Sequence, residues 1–410
     1  MLDNRLFLLQ IAVIIGFSHV VSAIFSRFKQ PKVVGEMTAG IALGPTLFGL
    51  FWPGPYHALF PPESLGYLNA LSQAGLVIFI FLVGVRVDFA ELRQQSRVAV
   101  VTSNISILLP MILGVGVAWY LYPRYGSGSQ LVFALFIGTS MSVTAFPVLA
   151  RILMERNLLG TRLGSVAIAC AAVDDISAWI LLAAIVSLTK NNTHSRSAGT
   201  MLLYIGLYLV AAFGIARLLD AWSSHLDDKK LPVSGTLLFV VLALVSGAVG
   251  EHLGVHALVG AFIAGLVTPR KFRQQLIDNL EAVTLMILMP LFFALTGVRT
   301  QFVFNGGMAM YMDFFLILAV AVVSKWGGTM MGARVNGMEW RDASRLGLLM
   351  NTRGLVGLVV LNVGADLGIL SPRLFAMMVA MAVVTTFMAT PLMDAFEDRK
   401  NLKLALAASN

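Results

Sequence analysis

The sequence predicts an all-α polytopic membrane protein of about thirteen transmembrane helices arranged as an inverted repeat. Three observations carry this expectation. Of 410 residues, 58% are hydrophobic and only 12% are charged, a balance outside that of soluble domains. The apolar residues come in runs of about 20, the length an α-helix needs to cross a bilayer, and they lack the alternation of a membrane β-barrel. Lys and Arg fall mostly in every second gap between those runs, the sidedness that basic loops impose on membrane insertion.

The first run, 5–26, is closed by Arg27, Lys29 and Lys32; runs 33–51 and 67–85 follow, before Arg86, Arg93 and Arg97. Runs 98–121 and 130–150 lead to Arg151, Arg156 and Arg162, and runs 163–188 and 200–216 to Arg217, Lys229 and Lys230. Runs 233–251 and 256–268 lead to Arg270, Lys271 and Arg273, runs 276–298 and 311–333 to Arg334, Arg341 and Arg345, and runs 346–365 and 374–394 to Arg399, Lys400 and Lys403. Twenty-one of the 29 basic residues therefore share one side, six (Arg5, Arg124, Lys190, Arg196, Arg299, Arg373) take the other, and Lys325 and Arg353 fall inside runs. The positive-inside rule places the N-terminus outside and the C-terminus in the cytoplasm of a plasma or inner membrane.

The net charge of +8 is thus topological rather than a footprint for nucleic acid. No GxGxxG or GxxxxGK[ST] string occurs to hold a nucleotide, and no cytosolic domain is expected after the last run, so an ion gradient is the expected energy source. The first run is too long for a cleavable signal. The single cysteine, Cys170, reads as a small core residue and excludes an intramolecular disulfide. No cofactor is expected.

An internal repeat supports a transporter. LVGVRVDF at 82–89 and LTGVRTQF at 295–302 share five of eight residues, and GEMTAG at 35–40 matches GAFIAG at 260–265 in the preceding run. The offset is seven runs. An odd offset inverts the second copy in the membrane, the build of many secondary transporters whose sites lie where broken helices meet. The same offset pairs run five, with GTSMSVTAFP, and run twelve, with NTRGLVG, and both look breakable. Pro147 removes a helix hydrogen bond, and the hydroxyls of Ser142 and Thr144 can satisfy freed backbone groups. Asn351, Thr352, Arg353 and Gly354 belong to the second break, where Arg353 or Lys325 could compensate exposed half-helix ends.

The chemistry concentrates in three charges. Asp174 and Asp175 are adjacent within AIACAAVDDISAWILLAAIVSL, and Lys325 lies mid-run in MDFFLILAVAVVSKWGGTMMGA, too deep to snorkel to water. Ionisable groups at such depth mark ion or proton pathways. Sequential acids point about 100° apart on a helix, so each takes its own partner. One is expected to pair with Lys325 while the other binds cation or proton in turn, the cluster titrating as a coupled unit. Besides the acids, Ser142 and Thr144 are candidate oxygen ligands for a monovalent cation. Glu36 reads as interfacial or helix-stabilising, Glu251 and Glu281 as run-end residues, and His252 and His256 as loop histidines without the companion acid of a zinc site. Trp52 and Trp340 read as interfacial anchors. A cation channel or gated K⁺ efflux pathway is an alternative, as is an organic-anion symporter of the same fold. An intramembrane aspartyl protease would need its two acids on separate helices.

SVTAFPVLARIL at 142–153 and AAVDDISAWILLA at 171–183 resemble the core signature of the monovalent cation:proton antiporter superfamily, with most similarity to its CHX-type branch. QPKVVGEMTAGIALGP at 30–45, HALVGAFIAGL at 256–266, MPLFFALTGV at 289–298 and MNTRGLVGLVVLNVGADLGIL at 350–370 extend the resemblance across the chain. The resemblance implies an NhaA-type fold with two crossed broken helices, a homodimer, and elevator-type exchange of Na⁺ or K⁺ for H⁺. It implies a core domain of about 98–188 and 311–397, and a scaffold of about 1–97 and 200–298. Asp175 would be the ion-carrying carboxylate, Asp174 the partner of Lys325, and Thr144 a contributor from the break. Many CHX-type members have Asn before the functional Asp; Asp174 with Lys325 implies electrogenic exchange instead.

Overall fold

The computed structural model describes residues 4–28, 30–87, 89–189, 198–224, 233–253, 257–298, 307–353 and 367–407, with 357, 360–361 and 364–365 between the last two stretches. Among them no strand forms beyond one isolated bridge, Gly126 to Leu370. The chain is helical because its backbone amides have no water to bond in hydrocarbon and must pair within each segment. Among the described residues, ten helices are long and apolar enough to cross a membrane. The expected runs 200–216 and 256–268 correspond to a helix at Ala198–Ser224 and a short apolar helix at Ala257–Leu266, while run 346–365 is only partly described. Arg299, His256 and Gly354 lie outside the described residues.

The chain divides into two compact units. One comprises Met1–Ser22, Glu36–Arg93 and Asn191–Thr300. It holds most of α1 (Asn4–Arg27) and α2 (Lys32–Leu43), the short α3 (Phe48–Phe51) and α4 (Pro53–Leu59), and the long α5 (Pro62–Arg86). Its later helices are α10 (Ala198–Ser224), α11 (Val233–Leu253), α12 (Ala257–Leu266), α13 (Arg270–Val283) and α14 (Met289–Val298), the last two joined by a π-helical turn at Thr284–Leu288. Glycines set how closely these helices meet. A Cβ on Gly84 would lie 2.3 Å from the Phe262 carbonyl oxygen, and one on Gly265 would lie 2.1 Å from that of Phe81. Likewise a Cβ on Gly40 would lie 1.9 Å from the Ala294 oxygen, and one on Gly297 would lie 2.4 Å from Ile41 N. The repeated motifs therefore dock crosswise: Gly84 of LVGVRVDF against Gly265 of GAFIAG, and Gly297 of LTGVRTQF against Gly40 of GEMTAG.

The second unit comprises Ala23–Gly35, Gln94–Lys190 and Gln301–Asn410. It contains most of α6 (Phe89–Tyr125), then α7 (Gln130–Ser142), α8 (Phe146–Glu155) and α9 (Arg162–Thr189). α15 (Met308–Val335), α16 (Trp340–Met350) and a C-terminal α17 (Pro372–Ala407) complete it. Its apolar core includes Phe133, Phe136, Ile137, Leu182, Ile317 and Met377. The expected run 130–150 is thus two helices, α7 and α8, with a gap between them.

Candidate functional site

The gap opens at residues that cannot hold a helix. Ser142 turns its hydroxyl back to Thr139 O (2.8 Å), a local bond that competes with the helix ladder. Val143 and Ala145 are extended, with φ/ψ of −79°/134° and −84°/97°. Pro147 sits in the first turn of α8, where its missing N–H costs nothing. It therefore starts the second half-helix rather than kinking a continuous one. A second gap begins after α16, and the two non-helical segments bond to each other. Ala145 N–H donates to Thr352 O (3.0 Å), and the Thr144 hydroxyl lies 2.8 Å from Met350 O. The Thr352 hydroxyl folds back on Leu349 O (2.8 Å), and Arg353 N–H donates to the Thr386 hydroxyl of α17 (2.9 Å).

Ending α7 in the buried interior leaves its last carbonyls without helix partners and concentrates negative partial charge there. Two buried cations answer it. Arg353 donates through Nη1 to Ser140 O (3.1 Å) and Met141 O (2.6 Å), and Lys325 Nζ donates to Ser142 O (2.5 Å). The compensation expected from either residue is shared by both.

Asp174 and Asp175 are both buried on α9, yet their surroundings differ sharply. Asp174 Oδ2 accepts from Lys325 Nζ (2.7 Å) and from the Thr144 hydroxyl (2.8 Å), while Oδ1 accepts from the Ser103 hydroxyl of α6. Lys325 is equally occupied. Its three acceptors, Asp174 Oδ2, Ser142 O and Ser106 O (3.2 Å), match the three protons of an ammonium. Asp175 has neither carboxylate oxygen hydrogen-bonded among the described residues, although it is 0% exposed. A buried ionised carboxylate without partners is costly, so Asp175 is the group with most to gain from a proton or a metal cation.

The sequence-predicted residues separate accordingly. Asp174, Lys325 and Thr144 come together directly. Ser142 presents its carbonyl to Lys325 while its hydroxyl stays within α7. Asn351 is buried, with its Oδ1 unbonded among the described residues. Glu36 is buried, 2% exposed. Glu281 pairs with Arg86 (2.6 Å), Glu251 accepts from Ala257 N–H (2.9 Å) at the start of α12, and His252 is exposed. Trp52 and Trp340 are exposed. Sequence reasoning missed Ser103, Ser106, Thr329 and Thr386. The available signal was TSNIS at 102–106, which puts the hydroxyls of Thr102, Ser103 and Ser106 on the buried side of an apolar helix.

Comparison with known proteins shows the family and the fold. Residues 13–395 match the family described as "Sodium/hydrogen exchanger, transmembrane". The chain is 38% identical over 394 residues to the Na(+)/H(+) antiporter NhaS4 of Synechocystis sp., covering 94% of this chain and 96% of that protein. It is 36% identical to cation/H(+) antiporter 19 of Arabidopsis thaliana and 33% identical to K(+)/H(+) antiporter 1 of Saccharomyces cerevisiae, over 94% of this chain in each case. It spans about half the length of those two, 49% and 46%. The solved structure of the sodium proton antiporter MjNhaP1 from Methanocaldococcus jannaschii superposes with a TM-score of 0.66 at 14% identity, covering 96% of this chain and 97% of that one, which establishes a shared fold.

Proposed function

The chain belongs to the transmembrane sodium/hydrogen exchanger family, and from that premise we propose that it exchanges Na⁺ or K⁺ for H⁺ across a membrane by alternating access. The observation that carries this reading is the contrast between the two acids. Asp174 has both carboxylate oxygens hydrogen-bonded, by Ser103, Thr144 and Lys325, whereas Asp175 is buried with no hydrogen-bond donor among the described residues. A single negative group that requires a positive partner accepts either a proton or a desolvated cation, and occupancy by one excludes the other. Exchange by competition follows. Asp174 and Lys325 hold the crossing together beside Asp175, and an acid pair with a buried lysine makes electrogenic exchange, with more than one proton per cation, the expected stoichiometry.

The whole site lies in the unit of Gln94–Lys190 and Gln301–Asn410, so this is the transport unit, with Met1–Ser22, Glu36–Arg93 and Asn191–Thr300 as scaffold. The concentration of Lys and Arg in alternate loops supports an N-terminus outside and a C-terminus in the cytoplasm. A homodimer is the assembly that the family resemblance implies, and native mass spectrometry of the purified protein from mild detergent checks it.

The deciding experiment is cation-driven proton movement in proteoliposomes, read with a trapped pH dye over Li⁺, Na⁺, K⁺ and Rb⁺, with and without a valinomycin clamp. Wild-type protein is expected to dequench the dye on addition of Na⁺ or K⁺. Asp175→Asn, which keeps the shape and removes the charge, is expected to abolish that response. Normal exchange by this variant would remove Asp175 as carrier, and conductance persisting without a proton gradient would make the protein a channel.

A further inference from the structure

Four of the basic residues that mark the cytoplasmic side converge on one hollow. α10 and the turn that joins α12 to α13 enclose a cavity of about 470 Å³, in the range of small-molecule sites. Arg217, Arg270, Lys271 and Arg273 line it, against a single acid, Asp220. All five belong to the unit that includes Asn191–Thr300, apart from the unit that carries Asp174 and Asp175. The positive-inside rule asks only that cations lie in these loops; it does not gather them around a cavity.

The four cations divide by what holds them. Arg273 is the fixed part of the wall: its guanidinium donates to Thr268 O (3.0 Å), Val87 O (3.0 Å) and Leu266 O (3.1 Å), which secures the turn between α12 and α13. Arg217, Arg270 and Lys271 are exposed, and Arg217 Cζ lies 4.7 Å from the centre of the Phe213 ring. α13 starts at the same wall, with Pro269 as its N-cap and no side-chain cap, so its first turn adds positive partial charge. Four cations against one carboxylate suit an occupant of net negative charge. The arginines favour a phosphate, whose oxygens match the guanidinium fork.

The flank of the cavity favours a lipid over a dissolved phosphate. Phe213 lines the cavity and is exposed, and Leu203, Leu207 and Val210 continue exposed along the same face of α10 at spacings of three and four residues. From Arg217 to Leu203 this stripe runs about 20 Å, enough to cover the hydrocarbon of one leaflet, about 15 Å. We propose that the cavity binds the phosphate headgroup of one anionic phospholipid of the cytoplasmic leaflet, with an acyl chain lying along Phe213, Val210, Leu207 and Leu203. Basic pockets between membrane helices on the cytoplasmic side hold such headgroups by charge. The proposal is independent of which ions the chain exchanges.

Native mass spectrometry of the full chain from mild detergent, titrated with phosphatidylglycerol, phosphatidylcholine or phosphatidylethanolamine, reads binding without reference to transport. Wild type is expected to retain one phosphatidylglycerol per chain at concentrations where the two zwitterionic lipids leave little bound, and a large excess of inorganic phosphate is not expected to displace it. Joint replacement Arg217→Gln, Arg270→Gln and Lys271→Gln, with Arg273 kept to hold the turn, is expected to weaken phosphatidylglycerol binding more than about tenfold. Arg399→Gln, Lys400→Gln and Lys403→Gln together remove the same charge from another run on the same side and are expected to bind as wild type. Equal retention of the zwitterionic lipids, displacement by inorganic phosphate, unchanged binding in the first triple variant or equal loss in the second overturns the proposal. So does a dimer that takes up no lipid, which would give the cavity to a second copy of the chain. Should the first triple variant fail to fold, Arg217→Gln alone decides: it is expected to weaken binding about threefold, and wild-type affinity overturns the proposal.

Discussion

Lys325 and Asp174 are each costlier alone than together. Removing one partner of a buried ion pair strands the other, which costs about 3–5 kcal/mol, whereas removing both trades charge for neutral packing. Lys325→Ala is therefore expected to lower thermal stability in detergent markedly, and Lys325→Met with Asp174→Asn to recover most of the loss. A double variant no more stable than the single one would show that the pair does not act as a unit. Arg353 is a different case, because its partners are the carbonyls of Ser140 and Met141 rather than a carboxylate. Arg353→Met leaves the end of α7 uncapped on that side. The expected outcome is faster amide hydrogen exchange over residues 138–145, with the Asp174–Lys325 bond intact; unchanged protection there would mean the guanidinium is dispensable to the break.

At the scale of elements, the chain was legible where it breaks a physical rule and silent where it obeys one. Asp174, Asp175 and Lys325 stood out because charge inside an apolar run is expensive. Ser103 did not, because a hydroxyl costs little in a membrane helix and satisfies itself on its own backbone when no partner comes. Pro147 and its neighbouring hydroxyls announced a break, but its place at the start of α8 depends on where α7 stops, and the Ala145 to Thr352 bond that joins the two breaks is between backbone atoms, which carry no residue signature. The burial of Glu36 was not legible, because proximity to Pro31 and Lys32 in sequence says nothing about the packing that encloses it. The glycine contacts were half visible, as repeated motifs whose mutual docking only the fold reveals. They yield a firm expectation: Gly297→Ala puts a methyl 2.4 Å from Ile41 N and 2.8 Å from Gly40 Cα, backbone atoms that cannot swing aside. Overpacking of this kind costs about 1–3 kcal/mol, and a lowered melting temperature in detergent checks it. Gly116, with nothing within 4 Å, is the control that should tolerate alanine.

For the whole molecule, the sidedness of the loops is the property most open to direct measurement. Cys170 is the chain's one cysteine and is buried, so Cys170→Ala provides a clean background. In that background Ser129→Cys, on an exposed residue beside Arg124, is expected to react with a membrane-impermeant maleimide in intact cells. Asp342→Cys, half-buried among the basic residues Arg334, Arg341 and Arg345, is expected to react only after permeabilisation. The reverse pattern would invert the topology.

The crosswise docking of Gly84 on Gly265 and of Gly40 on Gly297 bears on biogenesis. As the nascent polypeptide leaves the ribosome, α2 and α5 enter the lipid long before α12 and α14 have been translated, so the early half waits with its close-contact surfaces unmatched. Co-translational assembly cannot finish until the late half arrives. By the same logic, two fragments severed between residues 190 and 197 and co-expressed carry complementary halves of both seams, and each should rescue the other from degradation.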